Sequence, residues 1–264
     1  MQELFVIKIG GNIIDNKEAL DAFLNDFASI TANKILIHGG GKLATELSSK
    51  LGIETKMVEG RRLTDEETIK VVTMTYAGWV NKTIVASLQS KRCNALGLCG
   101  ADANIIPAVK REVKNIDYGW VGDIDKTTVN TLFLKNILSQ EITPVLAPIS
   151  SDADGHLLNI NADTIAKTIA EAMSKHYTVR LIYCFEKNGL LMNVNDDNSV
   201  INEIDFNRAE QLKKEGIINA GMVPKIDNAL EALSNGVNEV SIGHARNILK
   251  ISKGEKGFGT CIKR

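Results

Sequence analysis

The sequence predicts an α/β fold with a mainly parallel sheet, and three observations carry that prediction. Short apolar runs end in glycine, each is followed by a stretch whose apolar residues recur at helical spacing, and this strand-then-helix order opens the chain and returns along it. A length of 264 residues suits either one large α/β unit or two lobes sharing a sheet. With 44% hydrophobic residues, 24% charged residues and four prolines, the composition is that of an ordinary globular protein and excludes a fibrous or disordered chain.

Leu4 to Ile9 is an apolar run closed by Gly10-Gly11 and reads as a buried strand. Leu20, Phe23, Leu24, Phe27 and Ile30 then fall at helical spacing, with Asp15 placed as N-cap and Glu18 three residues on. Lys34 to Ile37 gives a second strand, running into His38-Gly39-Gly40-Gly41 and another helical stretch. Thr64-Asp65-Glu66-Glu67 has the form of a capping box and opens a long helical region through Leu88, with Gly78 inside it. Strands recur at Ala95 to Leu98 and Thr143 to Ile149. Between them, 105–113 and 118–123 read as short strands or a hairpin, and 127–138 as a helix.

Ile165, Ala166, Ile169, Ala172 and Met173 mark the apolar stripe of a helix that begins just after Asn159-Ile160-Asn161-Ala162-Asp163. Thr178 to Phe185 is a strand, and Asp205 to Glu215 a helix closed by Gly216. Val223, Ile226, Ala229, Leu230 and Leu233 define a further helix closed by Gly236, and Asn238 to Ile242 and Phe258 to Ile262 supply the last strands. A boundary between lobes is expected near residue 176, dividing the chain into 1–175 and 176–264, although no Pro/Gly/Ser-rich linker marks it.

The 31 basic residues nearly cancel the 32 acidic ones, so the net charge of −1 gives no reason to expect nucleic acid as partner. Cys93, Cys99, Cys184 and Cys261 form no C-x-x-C pair and no disulfide framework, and are expected to be reduced. No apolar run approaches the roughly 18 residues of a membrane helix, and the chain enters a strand rather than a signal peptide, so the expected location is cytoplasmic, away from any membrane.

Chemistry concentrates at the glycines. Gly10-Gly11 and Gly39-Gly40-Gly41 each lie where a strand gives way to a helix, a place where backbone N–H groups and helix dipoles converge on an anion. Either cluster alone reads as a tight turn; two in equivalent positions, one preceded by Lys8, point to a phosphate cradle. There is no G-x-x-x-x-G-K-[ST], no G-x-G-x-x-G after a strand, and no H-R-D or D-F-G element, which disfavours the P-loop, dinucleotide-binding and protein-kinase classes. Lysine inside an apolar strand has little structural reason to be there, since lysine is almost never buried unless paired. Lys225 follows Pro224 at a helix start, where a cation opposes the helix dipole and wants an anionic partner. Asp163, in contrast, suits the first turn of its helix on structural grounds alone. His38, His156, His176 and His244 lack metal-ligand spacing and are read as structural or surface residues, His38 merely adjacent to the site; Lys42 and Lys82 are read as solvated or salt-bridged.

Four motifs, K-I-G-G at Lys8 to Gly11, H-G-G-G at His38 to Gly41, N-I-N-A-D at Asn159 to Asp163 and G-M-V-P-K at Gly221 to Lys225, together resemble those of the acetylglutamate kinases of the amino-acid kinase family. Gly60 to Asp65, Val80 to Lys82, Gly97 to Asp102 and Pro144 to Ile149 extend the resemblance over nearly the whole chain, in the family's order. It implies the amino-acid kinase fold, a three-layer αβα sandwich with an open, mainly parallel sheet. Residues 1–175 would bind an N-acylglutamate and dimerise, and residues 176–264 would bind ATP. By motif position Lys8 and Lys225 match the lysines flanking the transferring phosphoryl group, with Asp163 orienting them. Gly10, Gly11, Gly39, Gly40 and Gly41 match the phosphate cradle, Gly11 and Gly40 supplying its N–H donors. Gly40, Gly41, Arg62 and Asn159 match substrate contacts, and Glu186, Gly189 and Lys225 fall on the nucleotide side. Mg²⁺ is implied with ATP, held mainly by the phosphates rather than by protein ligands.

Elementary electrostatics agrees. A carboxylate approaching a triphosphate meets about 4 kcal/mol of repulsion per unit-charge pair at ~4 Å and an effective dielectric of ~20, which cations must cancel. The carboxylate is already a nucleophile at neutral pH, so no general base is required.

Three departures modify the expectation. The family's Thr-Asp-Val-x-Gly turn stands here as Phe185-Glu186-Lys187-Asn188-Gly189, so adenine and ribose contacts should differ. Its Gly-Leu-Arg stands as Gly60-Arg61-Arg62, and Arg61 is either an outward surface residue or a partner for a second carboxylate on the acyl group, as in N-succinylglutamate. The extra N-terminal helix of arginine-inhibited members is missing before the first strand, which implies an arginine-insensitive homodimer. The alternatives are a kinase for aminoadipate derivatives or aspartate, and a non-catalytic nucleotide- or effector-sensing relative; Lys8, Asp163 and Lys225 together argue against the second.

Overall fold

The computed structural model describes residues 1–58, 60–218 and 222–264. Its centre is an eight-stranded sheet: β1 (Glu3–Ile9), β2 (Asn33–His38), β3 (Ala95–Cys99), β4 (Thr143–Ala147), β5 (Thr178–Phe185), β6 (Glu203–Ile204), β7 (Glu239–His244) and β8 (Thr260–Ile262). The spatial order is β6-β8-β7-β5-β1-β2-β4-β3. All neighbours run parallel except β7 and β8, whose antiparallel pairing turns the last edge back. Residues on both sides of position 176 therefore share one sheet, since β1 lies directly against β5.

Ten α-helices are described: α1 (Gly11–Ile14), α2 (Lys17–Ala28), α3 (Gly41–Lys50), α4 (Glu66–Thr73), α5 (Asn81–Ser90), α6 (Thr131–Ser139), α7 (Ala162–Met173), α8 (Phe206–Lys214), α9 (Val223–Ser234) and α10 (Ile248–Ser252). They cover both faces of the sheet, and β1 shows why. Leu4 and Val6 join a core with Ile165 and Ile169 of α7 and Ile226 of α9, whereas Phe5, Ile7 and Ile9 join one with Phe23 and Phe27 of α2, Ile84 of α5 and Ile248 of α10. A strand buried on both faces must be apolar at every position, so the polar Lys8 in this run needs a partner on the α7 face, where strand alternation places it.

Several boundaries depart from the sequence reading. The cap of α2 is Asn16, whose side chain accepts from the Ala19 N–H at 3.0 Å; Asp15 instead closes the short α1 that the glycine turn starts. Asp65, not Thr64, caps α4, because Thr64 is held in a bridge to Gly119. The long helical region is α4 and α5 joined by a π-helical segment, Met74–Val80, with Gly78 inside it. Pro148 divides the 143–149 run into β4 and a hairpin strand, Ile149–Ser151, that pairs with Leu157–Asn159. The 105–123 region forms a hairpin of Ala108–Lys110 with Gly122–Ile124, and the helix predicted from 127 starts at Thr131 behind an Asn130 cap. The two-residue β6 and the five-residue α10 carry too little periodicity to be read from sequence. Among the described residues no helix is long and apolar enough to cross a membrane, and the four cysteines are free thiols.

Candidate active site

Alternation along β1 puts Lys8 on the face covered by α7 and α9, under the first turn of α7. Asn161 caps that helix by accepting from the Thr164 N–H at 3.0 Å, leaving Asp163 in the first turn, where the helix dipole favours a carboxylate. Lys8 Nζ lies 2.7 Å from Asp163 Oδ1, as an ion pair rather than an aligned hydrogen bond, and Lys8 is only 9% exposed. Tyr183, opposite Lys8 in register, donates its hydroxyl to the Asp163 carbonyl at 3.3 Å and holds the turn from below.

Lys225 enters from the first turn of α9, behind Pro224. It is half-buried, with Nζ 4.0 Å from the centroid of the Phe185 ring. Burial lowers its pKa, the charges of Asp163 and Glu186 oppose that shift, and the like charge of Lys8 adds to it. Lys8 is thus within ion-pair distance of Asp163, while Lys225 feels the charges of Asp163 and Glu186 from farther off, which leaves its ammonium able to meet an anionic ligand. Gly221, the first residue of the G-M-V-P-K motif, lies outside the described residues.

The glycine turns leave the sheet side by side because β1 and β2 are neighbours with Ile9 opposite His38. The Gly39 N–H donates to the Ile9 carbonyl, and a Cβ on Gly39 would stand 3.9 Å from the Gly11 nitrogen. Gly40 has φ +150°, and a Cβ there would sit 2.9 Å from the Tyr76 ring, so both backbone and packing require glycine.

Two clefts abut at these turns. The larger, about 390 Å³, is lined by Gly10, Gly11, Phe185, Glu186, Gly189 and Lys225. The smaller, about 250 Å³, is lined by Gly39, Gly40, Gly41, Arg61, Arg62 and Asn159. The residues assigned to nucleotide and those assigned to substrate thus line different clefts, one at each of two neighbouring glycine turns. Buried Arg62 donates to the Gly41 carbonyl and to Thr45 Oγ1, both at 2.8 Å, and to Thr55 Oγ1 at 3.1 Å. Asn159 donates to Thr64 Oγ1 at 3.2 Å, and Thr64 donates to the Arg62 carbonyl, which ties the two substrate-side residues together. Arg61 is exposed on the rim. Where the Phe185-Glu186 departure falls, the phenyl ring supports Lys225 and Glu186 stands exposed at the cleft.

Sequence reasoning missed two lining residues or supports, Tyr76, which packs on Gly40, and Arg111, which lines the smaller cleft while paired with Asp123; His38, read as a structural residue beside the site, is buried there against Asn81, a partner the sequence did not suggest. Lys82, expected to be solvated or salt-bridged, is exposed but donates to Asn81 Oδ1 and to the Gly97 carbonyl. No spacing rule joins these partners. Among the described residues the one cluster able to hold a metal is Asp152, Asp154 and His156, at the tip of the 149–159 hairpin; the site itself offers ammonium groups, which suits an ion held by phosphate oxygens.

Burial pulls the His38 pKa down to about 4, with the Lys82 charge acting the same way. A base with a depressed native pKa contributes stability that is complete above its unfolded value near 6.5 and is lost as pH falls toward 4. This one ring accounts for about 3 kcal/mol over that window. Denaturant midpoints measured from pH 7 to 4 should fall, and His38→Asn should flatten that slope; an unchanged slope in the variant contradicts the assignment.

The profile of the Amino acid kinase family matches residues 3–244. An acetylglutamate kinase from Cytophaga hutchinsonii is 53% identical, with 98% of each chain covered, and one from Bacteroides thetaiotaomicron is 52% identical over 100% of this chain and 99% of its own. Among solved structures, N-acetylglutamate synthase from Neisseria gonorrhoeae superposes with TM-score 0.83 at 20% identity, covering all of this chain and 59% of that longer one. Carbamate kinase from Giardia lamblia gives 0.69 at 15% identity, covering 100% of this chain and 98% of its own. At such identities these two speak for the fold alone.

Proposed function

We infer the reaction from one premise: the chain belongs to the amino acid kinase family, and within it the relatives about 50% identical over their full length are acetylglutamate kinases. It is an ATP-dependent kinase that phosphorylates the γ-carboxylate of N-acetyl-L-glutamate to an acyl phosphate, a step of arginine biosynthesis. The observation that supports this most directly is the Lys8–Asp163–Lys225 cluster beside two adjoining clefts. On this reading MgATP lies in the larger cleft, in the lobe formed by 176–264, with Mg²⁺ carried on its phosphates. N-acetylglutamate lies in the smaller cleft, in the 1–175 lobe, its carboxylates met by Arg62, Asn159 and the glycine turn. Lys8 and Lys225 neutralise the phosphoryl oxygens as charge moves between the reacting anions, and the glycine N–H groups complete the field. A cytoplasmic setting goes with this activity and with the four free thiols. The outer edge of β3, where Leu96 is exposed, together with the π-helical segment that packs against β3 and exposes Met74 and Trp79, is the surface through which a homodimer would form.

A second reading of the acyl group has an observation of its own. Arg61 and Arg111 both line the smaller cleft, and Arg111 Nη1 is buried with no hydrogen-bond partner among the described residues, so a distal carboxylate such as that of N-succinylglutamate has two guanidinium groups to meet. Trapping the acyl phosphate with hydroxylamine in the presence of MgATP tests both readings. Failure to form product from any N-acylglutamate would overturn the function. If Arg61 holds a distal carboxylate, Arg61→Ala should lower kcat/KM about tenfold or more for the succinyl substrate while leaving the acetyl substrate within about twofold. Equal losses on the two sink the second reading.

A further inference from the structure

A buried imidazole stands behind the second glycine turn and has no part in the reaction described above. Along β2, Ile35 and Ile37 face α7, and Leu36 faces α2 and α5, so alternation carries His38 to the α5 side, away from Lys8. There it meets Asn81, the first residue of α5; both side chains are fully buried.

The hydrogen-bond pattern fixes every proton. Asn81 Oδ1 accepts from Lys82 Nζ at 3.1 Å, and its Nδ2 donates to the Val145 carbonyl at 2.9 Å, a group that can only accept. The amide is therefore oriented from both ends. Its second N–H reaches His38 Nε2 at 3.1 Å, so that nitrogen accepts. The neutral ring carries its one proton on Nδ1 and donates it to the Gly39 carbonyl at 2.8 Å. Gly97 belongs to the same arrangement, since a Cβ on it would collide with Asn81 Oδ1.

We propose that His38, itself held by Asn81, is a positioning residue: by gripping the Gly39 carbonyl it sets the plane of the Gly39–Gly40 peptide and aims the Gly40 N–H at the transferring phosphoryl group. In a planar trans peptide the C=O and the following N–H point in opposite directions. With the carbonyl turned toward α5, the N–H is turned toward the side of the sheet where Lys8 and Asp163 lie. Neither flanking residue has a side chain to restrain that plane, so an external grip is needed. The inference rests on the phosphotransfer reading, because a donor has to be aimed only if charge develops in front of it.

His38→Asn and His38→Gln separate this role from simple packing. An asparagine places its amide N–H near the position of Nδ1, and a glutamine places its own near Nε2. With wild-type turnover established first, since its absence would sink the reading and not this inference, the Gln variant should lose about 10²-fold in kcat and the Asn variant less than about tenfold. KM for both substrates should change less than about threefold in each. Affinity for MgADP with aluminium fluoride, a mimic of the transferring group, should fall with kcat, while affinity for MgADP alone holds. Equal losses in the two variants, or a loss confined to KM, overturn the proposal. Should neither variant fold, ¹⁵N NMR of the imidazole in the wild-type enzyme decides it: a neutral ring protonated on Nδ1 from pH 5 to 9 is required, and an Nε2-protonated or titrating ring overturns it.

Discussion

Lys8→Met should lower kcat by about 10³-fold or more while KM for MgATP and N-acetylglutamate changes only a few-fold. The ammonium it removes is nearly inaccessible, points at one carboxylate, and lies on the strand that ends in the first glycine turn. Its attraction grows as charge spreads over the transferring oxygens, so its loss falls on the transition state more than on either ground state. The substitution also leaves Asp163 with Lys225 as its remaining cation, and stripping one partner from a partly buried pair lowers stability in its own right. The double variant Lys8→Met/Asp163→Asn separates the two effects. It should melt closer to wild type than Lys8→Met does and remain as inactive. Recovery of turnover along with melting temperature would mean that Lys8 serves the fold and not the reaction.

Lys8 was legible in the sequence because a charge interrupts an apolar run, but that signal is not sufficient by itself. Lys34 is equally buried at the start of β2, and its ammonium is spent on the carbonyls of Phe27, Ala28 and Ile30 at the end of α2. What distinguishes Lys8 is the company of Gly10-Gly11 after it and of a carboxylate contributed by a distant helix. The strands and main helices were readable for a similar reason: burial on both sheet faces forces continuous apolar runs, and the helices between them show a single apolar stripe. The helix starts at residues 15 and 64 were not, because both positions carry good capping chemistry, and the choice falls to tertiary contacts, the short α1 in one case and the bridge to Gly119 in the other. His38 with Asn81, Gly40 with Tyr76 and Arg111 with the rim of the smaller cleft were illegible because each pairing is made by the fold. Asn81 is 43 positions from His38, and nothing local to either residue announces the other.

Gly40→Ala carries the second large effect, through the backbone and not through charge. At φ +150° an L-residue is strained by about 1–3 kcal/mol, and the new methyl group would also stand 2.9 Å and 3.2 Å from two atoms of the Tyr76 ring and 3.4 Å from Val80. Tyr76 is buried on the π-helical segment with little room to retreat, so relief has to come from rotating the Gly39–Gly40 peptide, the movement that would turn its N–H away from the phosphoryl group. Turnover should therefore fall about 10²- to 10³-fold, together with a drop of several degrees in Tm. Gly41→Ala is the natural comparison, because the nearest atom to its Cβ is the Tyr76 hydroxyl at 4.0 Å. It should melt within a few degrees of wild type. Shrinking the neighbour in Gly40→Ala/Tyr76→Leu removes the collision but leaves the dihedral strain, so stability should return in part while kcat stays low. Full recovery of kcat in that double variant would show that side-chain crowding, and not the conformation of residue 40, governs the aim of the amide.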